Sequence, residues 1–348
     1  MRSYRNASRS AKRLNHESVV VDLHHDIALD VISRRQRGEK DVLRRIWLPR
    51  LKKAGIKVQV FPIFIDSGFL PEMAVRRELA MIHYLLDEID QNPEEIQLAR
   101  NYRDVQSGLR RGKIVAVLAL EGAEAIDREL TIVDILYRLG VRLASITWNR
   151  RTIFADGAGE GDGKGGLTRL GVELAHRMEE LGILVDVSHL SEAGFWSLLE
   201  VSRKPVIATH SNARALCDHP RNLTDAQIQA IAERGGVIGI LIHPSVIDPS
   251  NPTISRVVDH IEHIVKVAGI DYVAVGSDFV LDLIGLDQTP TQEWLMPNEQ
   301  ALSSIAGLGQ TVDLPNLTGE LLHRGISSGE IQKILGQNCL RVFRQVWV

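Results

Sequence analysis

Residues that bind divalent metals recur in this sequence at the ends of short apolar runs. Five runs close on such residues, which are His24 and Asp26, Glu121, His189, His210 and Asp278. Imidazole and carboxylate ligands without thiolate are typical of zinc and of other first-row divalent ions. A charged carboxylate at the end of a buried strand is costly unless a cation or an ion pair balances it. The pattern therefore predicts a metal-dependent hydrolase.

The motif DLHHD contains two of these candidates. In an extended strand alternate side chains share a face, so His24 and Asp26 would point one way and His25 the other. One imidazole and one carboxylate on the same side form half of a metal site, while His25 is expected to pack or to support that site. The alternative is a hydrogen-bonded pair, His24 with Asp26, that is purely structural.

The other candidates follow separate runs. Glu121 has two oxygens and could bridge two cations, although a salt bridge to an arginine is the alternative. His189 and His210 end similar neighbouring segments, LVDVSH and VIATH, which favours a chelating pair over two structural histidines. Asp278 could bind a metal or accept a proton from a metal-bound water. His243 ends another run but has no obvious partner, and at most it supports the site indirectly.

Two divalent ions in such a cluster would define the chemistry. Ions about 3.5–4 Å apart can share one hydroxide and lower its pKa toward neutrality. They also polarise a carbonyl, so amides or esters can be hydrolysed without a nucleophilic side chain. We therefore expect two divalent ions, with zinc favoured.

Eight apolar runs alternate with helical patterns and predict a (β/α)8 barrel with C-terminal helices. The runs lie near 18–24, 56–65, 113–120, 141–147, 182–188, 205–210, 236–242 and 272–277. An open doubly wound sheet has the same local pattern. It would separate ligands that come from the first, third, fifth, sixth and eighth runs, whereas a barrel brings them together.

Segments 156–166 and 282–325 are expected to be loops at the barrel mouth. Thr168 and Thr224 are predicted helix N-caps, and Gly182 a helix end.

Composition limits the remaining function classes. The 348 residues suit one barrel domain over 18–348, and the net charge of −3 gives no reason to expect nucleic acid or a membrane surface as a partner. The basic segment 1–17 is expected to be a solvated tail rather than a signal peptide. No run approaches the ~20 apolar residues of a membrane span. Cys217 and Cys339 are isolated, so a disulfide is not expected and a cytoplasmic location is predicted.

Several motifs together resemble the renal (membrane) dipeptidase family of zinc peptidases. They are DLHHD, LEG, VDVSH, ATHSNAR, HPRN and GSDF. The likeness covers most of the chain from about Val20 onward, and it is strongest between 166 and 240. The resemblance implies a dipeptide-like substrate with a free carboxylate, hydrolysed by a hydroxide that bridges two zinc ions. It also suggests a homodimer.

The same resemblance implies a role for each residue. The implied ligands are His24 and Asp26 for one ion, His189 and His210 for the other, and Glu121 between them. Asp278 would pass a proton between the bridging water and the leaving amine. Arg221, in HPRN, would bind the terminal carboxylate of the substrate, because a guanidinium fork matches a carboxylate. The alternative for Arg221 is an ion pair that anchors its loop.

Three departures from the family pattern stand out. Leu23 and His25 replace the usual glycine and asparagine of the first motif, and the acidic residue and glycine expected after Phe279 are missing. Trp148 stands where many members have a histidine that contacts the substrate carbonyl or the developing oxyanion. An indole donates only one hydrogen bond, and loss of one oxyanion donor can cost about 100- to 1,000-fold in turnover. The metal chemistry should survive, but the rate and the preferred substrate should change.

Two other functions compete with the dipeptidase hypothesis. A related amidohydrolase or lactonase could act on a cyclic amide, a lactone or an N-acyl amino acid, and Trp148 is the chief support for it. A barrel that has lost catalysis and binds a ligand or partner is the second alternative. The intact set of five predicted metal ligands argues against this last hypothesis.

Overall fold

A computed structural model describes residues 8–161, 165–283 and 304–347. Its strands in these ranges are Val20–Asp22 (β1), Ile56–Phe64 (β2), Ile96–Leu98 (β3), Ile114–Glu121 (β4), Val141–Ser145 (β5), Leu184–Asp186 (β6), Val206–Ala208 (β7), Val237–Ile240 (β8) and Val273–Val275 (β9). They are rich in Val, Ile and Leu and mostly buried on both faces, because they lie between the barrel interior and the outer helices.

Eight of these strands close into a parallel barrel. β1 pairs with β2, β2 with β4, each later strand pairs with the next one, and β9 pairs back with β1. The longest ladder joins β2 to β4, from Val58 opposite Val115 to Phe64 opposite Glu121. The remaining strand, β3, pairs with the first part of β4 outside the barrel. The predicted (β/α)8 fold is confirmed, and the open sheet is excluded.

Helices cover the outside of the barrel. In the described ranges the α-helices are Arg9–Glu17 (α1), Ile27–Gln36 (α2), Leu48–Ala54 (α3), Ala74–Asp90 (α4), Tyr102–Arg110 (α5), Thr131–Leu139 (α6), Arg169–Leu181 (α7), Glu192–Val201 (α8), Asp225–Glu233 (α9), Pro244–Ile247 (α10), Ile254–Ala268 (α11), Leu314–His323 (α12), Ser328–Gln332 (α13) and Asn338–Val346 (α14). The last two are the predicted C-terminal helices, whereas α12 lies within segment 282–325, which was expected to be a loop.

Three predicted helix ends are confirmed. The hydroxyl of Thr168 accepts a hydrogen bond from the Gly171 backbone N–H at the start of α7, and Gly182 ends that helix with a left-handed φ of 80°. Thr224 forms a reciprocal capping box with Gln227 at the start of α9. These local signals mark both ends of α7 and the start of α9.

The prediction of a solvated tail over 1–17 is wrong for residues 9–17, which form helix α1. Asn15 of this helix is buried, and its side-chain amide donates to the carbonyl oxygen of Ala54 at 2.5 Å. The hydroxyl of Thr318 donates to Asn15 Oδ1 at 2.8 Å. These bonds join α1 to α3 and α12, and such contacts with residues far away in the sequence leave no local signal in segment 1–17.

The predicted mouth loops are described in part. Residues 162–164 of the glycine-rich segment and 284–303 of the final excursion lie outside the described residues. Thr311–Asp313 form a short 3-10 turn that leads into α12. Cys217 and Cys339 are both free thiols. Of the helices in the described ranges, none combines the length and the apolar character needed to cross a membrane.

Candidate metal and active site

Glu121 lies at the centre of the predicted cluster. It is the last residue of β4, and its carboxylate is buried among three imidazoles. Its Oε1 lies 2.9 Å from His189 Nε2 and 3.8 Å from His210 Nε2, and its Oε2 lies 3.5 Å from His24 Nε2. The alternative for Glu121 was a salt bridge to an arginine. Among the described residues, the ion-pair contacts of this carboxylate are instead with the three histidines.

The rings of His189 and His210 face each other. Their Nε2 atoms are 2.7 Å apart. The Nδ1 atom of His189 lies 2.7 Å from Oδ1 of Asn149, and the Nδ1 atom of His210 lies 2.8 Å from the hydroxyl of Thr209. Each Nδ1–H can therefore donate outward, which leaves both Nε2 lone pairs directed at the same point beside Glu121.

Asp26 and Asp278 complete the group. Oδ1 of each is buried without a hydrogen-bond partner among the described residues, and so is Nε2 of His24. His24, Asp26 and Asp278 offer ligand atoms that all lie within 4.8 Å of one another, and so do His24, Glu121 and His210. Buried polar atoms are normally paired. Convergent imidazole nitrogens and carboxylate oxygens that lack partners fit divalent cations.

The backbone near the site departs from the extended strand assumed for DLHHD. β1 ends at Asp22, and Asp26 is the N-cap residue of α2 but makes no side-chain capping bond, so His24 and Asp26 reach the site from the short segment between the strand and the helix. His189 and Asp278 have left-handed backbones, with φ of 67° and 47°. Such a conformation costs a non-glycine residue roughly 1–3 kcal/mol and persists only where the surrounding structure holds it. Both residues follow the ends of strands, and their left-handed backbones direct the side chains into the barrel mouth.

Electrostatic interactions within the site shift several pKa values. Burial alone would lower the pKa of His24, but the Glu121 carboxylate raises it to about 10. Burial likewise opposes the charge on Glu121, but His24 and the contact with His189 hold the pKa of this carboxyl below its usual range. Burial, together with nearby Arg221, lowers the pKa of His189 to about 3. Burial and the charges of Glu121 and Asp278 raise the pKa of Asp26. Cations at this place would stabilise the crowded carboxylates.

A cavity opens above the cluster, and its lining includes Asp26, Glu121, His189 and Asp278. Trp148 forms part of its wall; the indole is 5.0 Å from the Phe64 ring and 5.8 Å from the His189 ring, measured between centroids. The guanidinium of Arg150 lies over the same indole at 5.1 Å. Arg221 also lines the cavity, and it donates to the carbonyl oxygen of His210 at 3.2 Å.

Some nearby residues lie elsewhere or were not anticipated. His25 is turned away from the cluster, as predicted; its Nε2 is 3.0 Å from the Thr311 hydroxyl, and its ring packs edge-on against Trp47. His219 and His243 line the cavity beside Arg221. The HPRN motif could have pointed to His219, since it includes that residue. His243 was expected to support the site at most indirectly, and the turn from β8 into α10 places it in the cavity wall.

Comparison with known proteins identifies the family. A family model described as membrane dipeptidase (peptidase family M19) matches residues 8–297 and 299–347. The chain belongs to the membrane dipeptidase family. It is a metal-dependent hydrolase of the metallopeptidase class, and the resemblance inferred from the motifs is confirmed.

Individual proteins are similar to this chain along most of its length. Dipeptidase verJ of Clonostachys rogersoniana is 30% identical over 283 residues, which cover 81% of this chain and 67% of verJ. Dipeptidase tcpJ of Claviceps purpurea (strain 20.1) is 28% identical over 338 residues, or 94% of this chain and 74% of tcpJ. A metallo peptidase from Rhodobacter sphaeroides, solved with a phosphinate mimic of the dipeptide L-Ala-D-Ala, is 25% identical with a TM-score of 0.82 and covers 95% of this chain and 100% of its own.

Proposed function

We propose that this protein is a binuclear zinc dipeptidase that hydrolyses the peptide bond of short substrates with a free carboxylate. The observation that carries the proposal is the pair of facing atoms His189 Nε2 and His210 Nε2, 2.7 Å apart beside Glu121. Because Asn149 and Thr209 occupy the two Nδ1 atoms, both Nε2 lone pairs point to one place. Two lone pairs and a carboxylate directed at one point repel each other unless a proton or a metal ion lies between them, and this set of nitrogen and oxygen donors suits a metal ion.

We assign one ligand pair to each of two ions. His24 and Asp26 would hold the first ion, His189 and His210 the second, and Glu121 would contact both. Ligation by imidazole and carboxylate without thiolate favours zinc. Bound there, the two ions supply an activated water and polarise the scissile carbonyl.

Asp278 is positioned to handle the proton of the reaction. Its Oδ1 is buried without a hydrogen-bond partner in the described part of the chain, and it lies in one group with His24 and Asp26. Oδ1 would accept a proton from the attacking water and deliver it to the nitrogen of the leaving amine. A carboxylate in this role typically contributes 100- to 10,000-fold to the rate, roughly.

Arg221 and the aromatic wall would orient the substrate. The guanidinium of Arg221 lines the cavity and would bind the terminal carboxylate through charge-assisted hydrogen bonds. Trp148, packed against Phe64 and Arg150, would form an apolar surface beside the substrate. A site at the closed barrel mouth with Arg221 on its wall would favour dipeptides over long polypeptides.

Arg221→Ala is expected to raise KM for free-acid dipeptides about 10- to 100-fold, because hydrogen bonds to charged groups contribute roughly 1.5–3 kcal/mol. KM for the same dipeptides with an amidated C-terminus should change little. Steady-state kinetics on matched pairs of substrates with the zinc-loaded enzyme gives the comparison. Arg256→Ala, on helix α11, controls for the loss of a guanidinium away from the cavity. Equal losses on free-acid and amidated substrates would contradict the assigned role of Arg221.

Trp148 favours a second candidate function, that of an amidohydrolase or lactonase, since it stands where many members of the family have a histidine. An indole wall without a second donor would suit lactones, cyclic amides or N-acyl amino acids that need less oxyanion stabilisation. A panel of these compounds and of dipeptides, tested with zinc, manganese and cobalt, separates the two functions. Turnover of dipeptides at a higher kcat/KM supports the dipeptidase, and turnover confined to the other compounds supports the alternative.

A further inference from the structure

His210 is connected to a buried carboxylate through a neighbouring hydroxyl. Thr209 Oγ1 lies 2.8 Å from Nδ1 of His210 and 2.5 Å from Oδ2 of Asp186. All three side chains are at least nine-tenths buried. A carboxylate can only accept, and a threonine hydroxyl has a single proton to donate. The hydroxyl therefore donates to Asp186 and accepts the hydrogen of His210 Nδ1–H, which leaves Nε2 as the lone-pair nitrogen.

The same carboxylate also fixes the backbone around this ring. Oδ1 of Asp186 accepts the backbone N–H groups of Ser188 and Thr209, both at 2.9 Å. The hydroxyl of Ser188 in turn accepts the backbone N–H of His210 at 3.1 Å. Asp186 ends β6 and Thr209 directly follows β7, so one carboxylate holds the ends of two adjacent strands at the position where they present His189 and His210.

The two facing imidazoles differ in what lies behind them. Nδ1 of His189 is bonded to Asn149, a neutral amide. A similar set of hydrogen bonds joins β1 to the end of β9, where the carboxylate of Asp22 accepts from the backbone N–H and the hydroxyl of Ser277. In the described contacts the Ser277 hydroxyl reaches Asp22 and the carbonyl oxygen of His24, and no imidazole nitrogen. Of these two aspartates, only Asp186 is linked by hydrogen bonds to the ring of a proposed ligand, His210.

We propose that Asp186 and Thr209 are positioning residues for metal binding, which fix the tautomer and the orientation of His210 and strengthen its Nε2 as a ligand. This inference rests on the proposed metal site. A hydrogen bond from the outer nitrogen of a ligating histidine to an anionic partner holds the ring in place and raises its basicity. The Asp186–Thr209–His210 chain supplies that partner through one hydroxyl, so its effect should be confined to the ion held by His189 and His210.

The test compares two variants of Thr209 with a matched control. Thr209→Val has nearly the same shape but cannot accept the Nδ1–H, whereas Thr209→Ser retains the hydroxyl. Thr318→Val removes a buried threonine hydroxyl that donates to Asn15, between α12 and α1. Each full-length protein is loaded with zinc, and the release of each ion to a chromogenic chelator is measured. Nitrogen-15 NMR of the histidine rings reports the His210 tautomer.

Thr209→Val is expected to weaken the binding of one of the two zinc ions about 10- to 100-fold and to shift the His210 tautomer. Thr209→Ser should restore the affinity to within about threefold of the wild type, since its hydroxyl keeps the bond. Thr318→Val should lower thermal stability without changing zinc release. The inference would be overturned if Thr209→Val bound both zinc ions with wild-type affinity. It would also be overturned if Thr209→Val bound zinc as tightly as Thr318→Val does. Wild-type protein that binds zinc but cleaves no dipeptide would overturn the proposed function alone.

Discussion

His189→Asn is expected to remove one of the two ions and to lower kcat/KM for dipeptides about 1,000-fold. A bound cation stabilises transition-state charge by several kcal/mol, and each ~1.4 kcal/mol is a factor of ten in rate. Asparagine is the informative replacement because His189 has a φ of 67°, and asparagine adopts the left-handed conformation more readily than alanine. Loss of the ion would then not result from a strained backbone.

The measurement for this variant is metal content by elemental analysis together with steady-state kinetics. His176→Asn serves as the control, because this histidine of α7 contacts the carbonyl oxygen of Val201 rather than the cluster. It should retain the full metal content and activity. A His189→Asn protein that cleaves dipeptides at the wild-type rate after its metal has been removed would contradict a metal-dependent mechanism.

Asp278→Asn is expected to have an effect of comparable size. It should lower kcat about 100- to 10,000-fold with little change in KM, because the amide can no longer take up the proton at Oδ1. The left-handed φ of 47° at this position again suits asparagine. Both ions should remain bound. Loss of one equivalent of metal together with the activity would show that Asp278 is a ligand, as its place beside His24 and Asp26 also allows.

The barrel could be predicted from the sequence because its strands leave a clear pattern. Each barrel strand is a short Val- and Ile-rich run that is buried on both faces, and the runs number eight. β3 could not be found this way. It is only three residues long, Ile96–Leu98, two of its residues are only half-buried, and it exists because it pairs with β4. Helix α1 was missed for a similar reason, since its one buried polar anchor, Asn15, bonds to residues far away in the sequence.

The convergence of the candidate site could be predicted because parallel strands in a closed barrel direct their carboxyl ends to one mouth. The local backbone conformation that brings each residue to the mouth could not be predicted. His24 and Asp26 were expected on an extended strand, but β1 stops at Asp22. The left-handed backbones at His189 and Asp278 could not be predicted either, since neither residue type requires that conformation.

The residues that support the ligands were the hardest to find. Asn149 and Thr209 are identified only by their distances to two ring nitrogens, which depend on the loops after β5 and β7. A signal for Asp186 was nevertheless present. The segments VDLH and VDVSH place an aspartate two or three residues before a candidate ligand. In both segments that aspartate accepts a hydrogen bond from a hydroxyl that follows an adjacent strand of the barrel, Ser277 after β9 or Thr209 after β7.

Anomalous scattering at the zinc edge, from crystals of the wild-type protein grown with zinc, tests the central claim most directly. We expect two peaks at the barrel mouth, one in contact with His24 and Asp26, the other with His189 and His210, and both with Glu121. Elemental analysis of the same preparation should give two equivalents of zinc per chain. A barrel mouth without an anomalous peak, or peaks that contact none of the three imidazoles, would contradict the account.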